Sequence, residues 1–311
     1  MPRHQGKILI IRGGAIGDFI LTLPAISALR KQFPDARLDI LGYPHIAQLA
    51  LAGGLVDDVK SIEAGALAGF FARNGDLNPN LADYFSEFHL ILSYLYDPDG
   101  IFQTNVARCA PAQFIAAPHR ADDKLKVHAS KVYLQPLERL AIFDADPVPR
   151  LSLRQDLRVA PSRLAMHPGS GSEKKNWPEN KWADLLARIL NETNWNLLLV
   201  GGEAESERMR RLGAALPLTR AVVIQSRPLT EVAAALRQCA AFVGHDSGIS
   251  HLASALGLRG LVLWGDTVSE VWRPPSERVR LLRNPSGLSG LRPSQVFAEL
   301  SELLSSPRHP D

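Results

Sequence analysis

Residues 241–275 read A-F-V-G-H-D-S-G-I-S-H-L-A-S-A-L-G-L-R-G-L-V-L-W-G-D-T-V-S-E-V-W-R-P-P, and no other stretch restricts the fold as much. The apolar run Ala240–Val243 is too short for a helix and ends at a glycine, so it reads as a buried strand. Gly244-His245-Asp246 reads as a turn and Ser247–Leu256 as a helix. Gly257 stands where a helix that ends in left-handed backbone wants a glycine. Gly260–Trp264 is a second buried strand. A strand, a helix and a strand in that order belong to a parallel sheet covered on both faces. The turn sets Asp246, Ser247 and Gly248 at a helix N-terminus. The N–H groups there have no intrahelical partner, and the helix dipole adds partial positive charge. Phosphate suits such a place, and Gly248 has no side chain to obstruct it. Asp and Ser are also favoured as N-caps for structural reasons alone. The case for a ligand therefore needs His251, on a nearby face of the same helix, and a second polar turn, Gly265-Asp266-Thr267, after the next strand. Turns at the carboxyl ends of neighbouring parallel strands converge on one crevice.

The same alternation runs through the whole chain. Lys7–Ile11 is a strand that ends in R-G-G-A-I-G-D, followed by a helix over Phe19–Gln32 with Pro24 early in it. The glycines at 13, 14 and 17 do not fit G-x-G-x-x-G, and no G-K-[ST] follows, so this is neither a dinucleotide fingerprint nor a P-loop. Asp18 opens the helix, where any carboxylate is favoured by the dipole. Strands follow at Arg37–Leu41, Val56–Ile62, His89–Ser93 and Gln113–Ala116, with a helix over Tyr43–Leu51. Residues 64–84 carry mixed signals. The segment P-H-R-A-D-D-K-L-K-V-H-A-S-K reads either as a solvated loop or as a surface on which His119, Arg120, Lys124 and Lys126 meet a negatively charged acceptor. A helix over Lys131–Phe143 closes this half. Asp144–Pro161, with Pro147, Pro149 and Pro161, has linker composition.

The second half restarts with strands at Arg163–Met166, Trp195–Val200 and Ala221–Ile224. Helices run from Pro178 to Leu190, up to Ala215, over Leu229–Cys239 and, last, over Pro293–Leu304. Ser170 and Gly171 follow a strand end, where they form a simple turn or donate to phosphate. Glu203 follows a strand and Gly-Gly, either as a helix-start acid or as a carboxylate able to accept both hydroxyls of a ribose. Trp264 and Trp272 read as core or cleft wall. The expected class is α/β, with two Rossmann-like doubly wound domains and a cleft between them. The domains are residues 1–155 and 156–311, with the last helix packing back on the first domain.

Composition narrows the function. The 311 residues carry a net charge of +3, too weak to argue for nucleic acid. It suits anionic ligands or a transient contact with an acidic membrane face. Cys109 and Cys239 lack metal spacing and read as reduced, buried thiols. No stretch reaches the roughly 18 apolar residues of a membrane span, and the N-terminus has no signal-peptide pattern, so a cytoplasmic protein is expected. No D-x-D pair marks an obvious metal clamp, and neither metal nor other cofactor is expected.

Three motifs taken together carry a resemblance. G-A-I-G-D-F-I-L-T-L-P-A-I-S-A-L-R near the N-terminus, K-N-W-P-x-x-x-W in the middle, and D-S-G-I-S-H-L-A-S-A-L-G with L-W-G-D-T-x-x-x-x-W-R-P resemble the ADP-heptose:lipopolysaccharide heptosyltransferases, glycosyltransferase family 9. H-A-S-K-V-Y-L also resembles the end of that family's first domain. The resemblance implies the GT-B architecture, with the donor nucleotide sugar in the C-terminal domain and the acceptor in the N-terminal one. It further implies metal-independent transfer with inversion, from a donor such as ADP-heptose to a glycan or glycolipid acceptor, at or near the cytoplasmic face of the inner membrane. Asp18 would be the catalytic base, with Gly14 in the turn that lets the acceptor approach. Arg120 and Lys124 would face that acceptor. Lys175 would meet the leaving diphosphate with the amides around Ser247 and Gly248, and Ser170 and Gly171 would add donors. Glu203 would take the ribose. Asp246 would accept from donor-sugar hydroxyls or from its own helix, and His251 would reach the donor or pack as an ordinary helix histidine. Asp266, where the family usually has Pro, and the Arg227-Pro228 turn depart from the pattern and leave base and sugar open. An epimerase or hydrolase of the same shape, or a non-catalytic nucleotide-sugar binding protein, remain alternatives.

Overall fold

The computed structural model describes residues 6–153 and 162–305. They fall into two compact units, Met1–Arg154 and Gln155–Asp311. The expected boundary at 155/156, with Pro161, lies outside the described residues.

Unit 1 runs β1 (Lys7–Arg12), α1 (Ile16–Gln32), β2 (Arg37–Gly42), α2 (Pro44–Ala52), β3 (Asp58–Ser61), a 3-10 segment (Gly65–Phe71), α3 (Pro79–Ser86), β4 (Leu90–Ser93), α4 (Ile101–Ala107), β5 (Gln113–Ala116) and α5 (Ala129–Leu134). Its strands are all parallel, in the order β3-β2-β1-β4-β5. K-I-L-I-I-R and L-I-L-S are near-continuous apolar runs because a parallel sheet is covered on both faces. One core cluster gathers Leu9, Ile11, Phe70, Phe85, Ile91 and Phe102.

Unit 2 runs β6 (Arg163–Met166), α6 (Glu179–Glu192), β7 (Asn196–Gly201), α7 (Ser206–Ala214), β8 (Ala221–Gln225), α8 (Leu229–Arg237), β9 (Ala241–His245), α9 (Gly248–Ala255), β10 (Arg259–Leu263), α10 (Ser269–Trp272), β11 (Val279–Leu282) and α11 (Pro293–Ser305). The sheet is again all parallel, in the order β11-β10-β9-β6-β7-β8. α6 shows how the core is assembled. Trp182, Leu185, Leu186 and Ile189 recur at helical spacing, and all four are buried.

In each unit the chain starts in the middle of the sheet, builds outward one way, then returns to build the other way. The reversals fall between β1 and β4 and between β6 and β9. Beyond the carboxyl ends of such strand pairs the connections part and leave room for a ligand.

Several elements differ from the sequence reading. The helix expected over Lys131–Phe143 is α5 followed by a 3-10 turn, Gln135–Leu140, because Pro136 cannot continue an α-helix. α1 begins at Ile16, so Pro24 sits inside the helix rather than in its first turns. Gly244 and His245 belong to β9, not to a turn. α11 buries Val296, Leu300 and Leu303 in the core of its own unit. Cys239 is buried, its thiol pushed up to about 12 by desolvation, while Cys109 is half-buried.

Candidate active site

The site in unit 2 is built from the ends of β6 and β9. Strand β9 runs two residues further than the sequence suggests, and His245 ends it with no solvent exposure. The backbone N–H of Trp177 donates to His245 Nε2 at 2.8 Å, so the ring proton sits on Nδ1, 3.1 Å from the Gly169 carbonyl. Desolvation pushes His245 down to about 3, and the ring is neutral. Trp177 is itself immobilised, its indole donating to the Leu291 carbonyl at 3.1 Å and meeting Trp182 edge-on.

These links dictate what comes next in each chain segment. Lys175 lies two residues before Trp177, and Asp246 one residue after His245. Lys175 Nζ consequently reaches Asp246 Oδ2 at 2.6 Å. Ser247 is the N-cap of α9, its hydroxyl accepting from the Ser250 amide at 3.3 Å, and Gly248 is the first helical residue. The same hydroxyl lies 3.2 Å from Nδ1 of His167, a second buried histidine, which desolvation pushes down to about 4. A cation and the amide end of a helix thus share the switch point of a Rossmann-like sheet. The neighbouring strand β10 ends at Leu263, in register with His245; Gly265-Asp266-Thr267 follows it, and Trp264 donates to the Thr267 carbonyl at 2.7 Å. Trp264 is core, as one of the two sequence readings has it.

Glu205 is the residue the sequence reading missed in this half. Its buried carboxylate accepts from the Gly171 amide at 3.1 Å and from the Gly202 amide at 2.9 Å, tying the loop after β6 to the loop after β7. Gly169 has to be glycine, since a Cβ there would lie 2.1 Å from Glu205 Cγ. Gly171 has φ +72° and its amide donates to Glu205. Ser170 is likewise turned inward, its Oγ 2.8 Å from the Ser172 carbonyl and from Asn176 Oδ1. Glu203 is exposed just past β7, and His251 is buried in α9.

The candidate residues of unit 1 gather beyond β1. Gly14 turns with φ +93°, and a Cβ there would press on Asp18 Oδ2 at 3.3 Å. Asp18 stands in the first turn of α1 with its side chain 29% exposed. Oδ2 accepts from the Ala15 amide at 3.3 Å and Oδ1 from the Tyr133 hydroxyl at 3.4 Å. Arg12, at the end of β1, is buried beside it. Arg120 and Lys124 are exposed on the loop after β5, and that loop is anchored near Asp18 by the His119 carbonyl, which accepts from Arg12 at 2.8 Å. Two D-x-D pairs occur in this unit, at 97/99 and 144/146. Asp97 caps α4 by accepting from the Phe102 and Gln103 amides, and Asp146 accepts from the Val148 amide and from Arg150.

The family model of glycosyltransferase family 9 (heptosyltransferase) matches residues 140–291. The chain is 24% identical to lipopolysaccharide heptosyltransferase 3 of Escherichia coli K12, over 93% of this chain and 95% of that protein. Among solved structures, the E. coli ADP-heptose lps heptosyltransferase II superposes with a TM-score of 0.77 at 18% identity, covering 96% of this chain and 98% of that one. The E. coli heptosyltransferase WaaC with ADP gives 0.74 at 19% identity, covering 96% and 99%. Two parallel sheets with the strand orders above are the two Rossmann-like domains of the GT-B fold. Residues 140–291 are similar to glycosyltransferase family 9, and the fold and the relatives together support a glycosyltransferase that moves a sugar from a nucleotide-linked donor to an acceptor.

Proposed function

We propose that this enzyme moves heptose from ADP-heptose to the core of a lipopolysaccharide acceptor, with inversion at the anomeric carbon and no metal ion in the transfer step. The observation that carries the reading is Lys175 Nζ fixed 2.6 Å from Asp246 at the start of α9. A diphosphate arriving there meets a lysine charge and helix-end amides. These can offset the charge that grows as the nucleotide leaves. Asp246 gives up Lys175 to the phosphates and is left to accept from hydroxyls of the donor sugar. Glu203, exposed past β7, takes the ribose hydroxyls. His251 is buried in α9. The relatives named above include lipopolysaccharide heptosyltransferases and one with ADP, which favours this donor and acceptor.

In unit 1 Asp18 removes the proton of the acceptor hydroxyl as its oxygen attacks the anomeric carbon. The new glycosidic bond forms as the bond to the diphosphate breaks. A carboxylate is a weak base for an alcohol, so its placement matters more than its basicity. Arg120 and Lys124 meet anionic groups of the acceptor, whose lipid end sets the reaction at the cytoplasmic face of the membrane. Among the described residues no helix is long and apolar enough to cross a membrane.

Transfer from ADP-heptose to a heptose-free lipopolysaccharide core tests the reading. Asp18→Asn should keep donor affinity and lose about 10²–10⁴ in rate. Lys175→Ala should weaken donor binding and turnover together. Full transfer by Asp18→Asn removes Asp18 as the base, and unchanged donor affinity in Lys175→Ala removes the diphosphate site. Rapid consumption of ADP-heptose without any acceptor would make the protein a hydrolase or epimerase instead.

A further inference from the structure

The proposed base does not stand alone, and what stands behind it is an arginine. Arg12 ends the apolar strand β1 with only 2% of its surface exposed. Its guanidinium lies between two tyrosine rings, 4.6 Å from the centroid of Tyr133 and 5.5 Å from that of Tyr94. Nη1 donates to the His119 carbonyl at 2.8 Å, and Nη2 donates to the carbonyl of Asp18 itself at 3.2 Å. From the Asp18 carboxylate Nη2 stays 3.8 Å away. Tyr133, whose ring flanks the guanidinium, donates its hydroxyl to Asp18 Oδ1 at 3.4 Å, and the Tyr94 hydroxyl fixes the Tyr133 carbonyl at 2.6 Å.

This arrangement has a chemical meaning. An arginine clamped on a carboxylate by both arms saturates its oxygens and blunts it as a base. Arg12 instead uses its donors on backbone carbonyls. It supplies a positive charge close to Asp18, pins the main chain that carries it, and leaves the carboxylate room for an incoming hydroxyl. The carbonyl it holds at His119 opens the loop of Arg120 and Lys124, so one guanidinium joins the base to the acceptor loop.

We propose that Arg12 is the positioning residue of the transfer reaction, holding Asp18 in its working orientation and registering the 117–128 loop on it, with Tyr133 as its second arm. The proposal rests on the reading of Asp18 as the base. It acts through Asp18, and that makes it separable from a merely structural role. Effects of residues that work as a unit do not multiply.

The test is a double-mutant cycle on the full chain, with ADP-heptose as donor and a heptose-free lipopolysaccharide core as acceptor. Arg12→Gln should lower kcat by about 10–100-fold, the scale of a misplaced catalytic group, with KM for ADP-heptose unchanged. In the Asp18→Asn background the same substitution should change the residual rate less than about twofold, because the group it orients is already lost. Tyr133→Phe keeps the ring over the guanidinium and covers the case in which Arg12→Gln does not fold. It should lower kcat by about 2–10-fold, one hydrogen bond's worth, and that loss should also vanish in Asp18→Asn. Parental kcat in both single variants, or losses that recur undiminished without the Asp18 carboxylate, would overturn the proposal while leaving Asp18 as base. A fully active Asp18→Asn takes away the base assignment, and this inference with it.

Discussion

Two backbone amides, those of Gly171 and Gly202, end on the two oxygens of the Glu205 carboxylate. A carboxylate accepts at both oxygens, whereas glutamine offers one acceptor and turns an N–H₂ toward a donor. Glu205→Gln should therefore leave one of these part-buried amides without its acceptor, at a cost on the order of 1 kcal/mol. The loops after β6 and β7 should loosen, and affinity for ADP should fall with them. A thermal melt and an ADP titration of the variant check this, and a parental melting temperature with parental affinity would refute the tie. Glu205 also shows where sequence reading stops. E-A-E-S-E offers three glutamates within five residues, and nothing local says which one turns inward. The bare loop at Gly169 was the available signal. Arg12 and His245 were hidden for the same reason, since their partners lie 107 and 68 residues away in the chain. Asp18 and Asp246 stand in local motifs, at a helix start and beside a strand end, whereas Lys175 is singled out by the family resemblance and not by its spacing.

At the scale of elements, β6 leads straight into a buried histidine and β9 ends in another, and both are held below the usual value of 6.5 by desolvation, His167 at about 4 and His245 at about 3. In the unfolded chain these rings take up protons below about pH 6.5, and in the fold they do so only near 4 and 3. The unfolded state therefore binds more protons in that window, and stability rises with pH through it. Unit 2 should be fully stable above about pH 6.5 and lose stability steadily as the pH falls from there toward 4. Glu179, lowered chiefly by its hydrogen bond from Arg211, adds to the loss only in the carboxylate range below about 4.5. Urea midpoints between pH 7 and 5 thus isolate the histidines, and a flat midpoint there would mean that the rings can be protonated in place. The elements themselves were largely legible. β5 and β6 fall where the apolar runs put them, and Gly257 follows α9 with φ +83°. α4 and β11 were not seen. α4 starts from a glycine in left-handed backbone and is capped from Asp97, a side chain outside the helix, and β11 pairs with β10 alone at the sheet edge with most of its residues half-exposed.

For the molecule as a whole, the aromatic residues sort by unit. All five tryptophans, at 177, 182, 195, 264 and 272, belong to unit 2, and all five tyrosines, at 43, 84, 94, 96 and 133, belong to unit 1. Trp177, Trp182 and Trp264 are fully buried, and Trp177 is hydrogen-bonded through both its backbone and its indole. Tryptophan fluorescence is accordingly a reporter of unit 2 alone. A nucleotide that binds only the folded state adds RT ln(1 + [L]/Kd), about 2.7 kcal/mol at one hundred times Kd. ADP should thus raise the tryptophan-reported transition by several degrees, and it should do so in Asp18→Asn as well, because that residue lies in the other unit. UDP and GDP at the same concentration compare the base, which no motif in the chain specifies. Lys175→Ala should lose most of the ADP shift, since its ammonium is the fixed cation beside the start of α9. A transition that ADP leaves in place in the parent protein, while UDP or GDP moves it, would keep the diphosphate site at Lys175 and replace ADP-heptose as the donor.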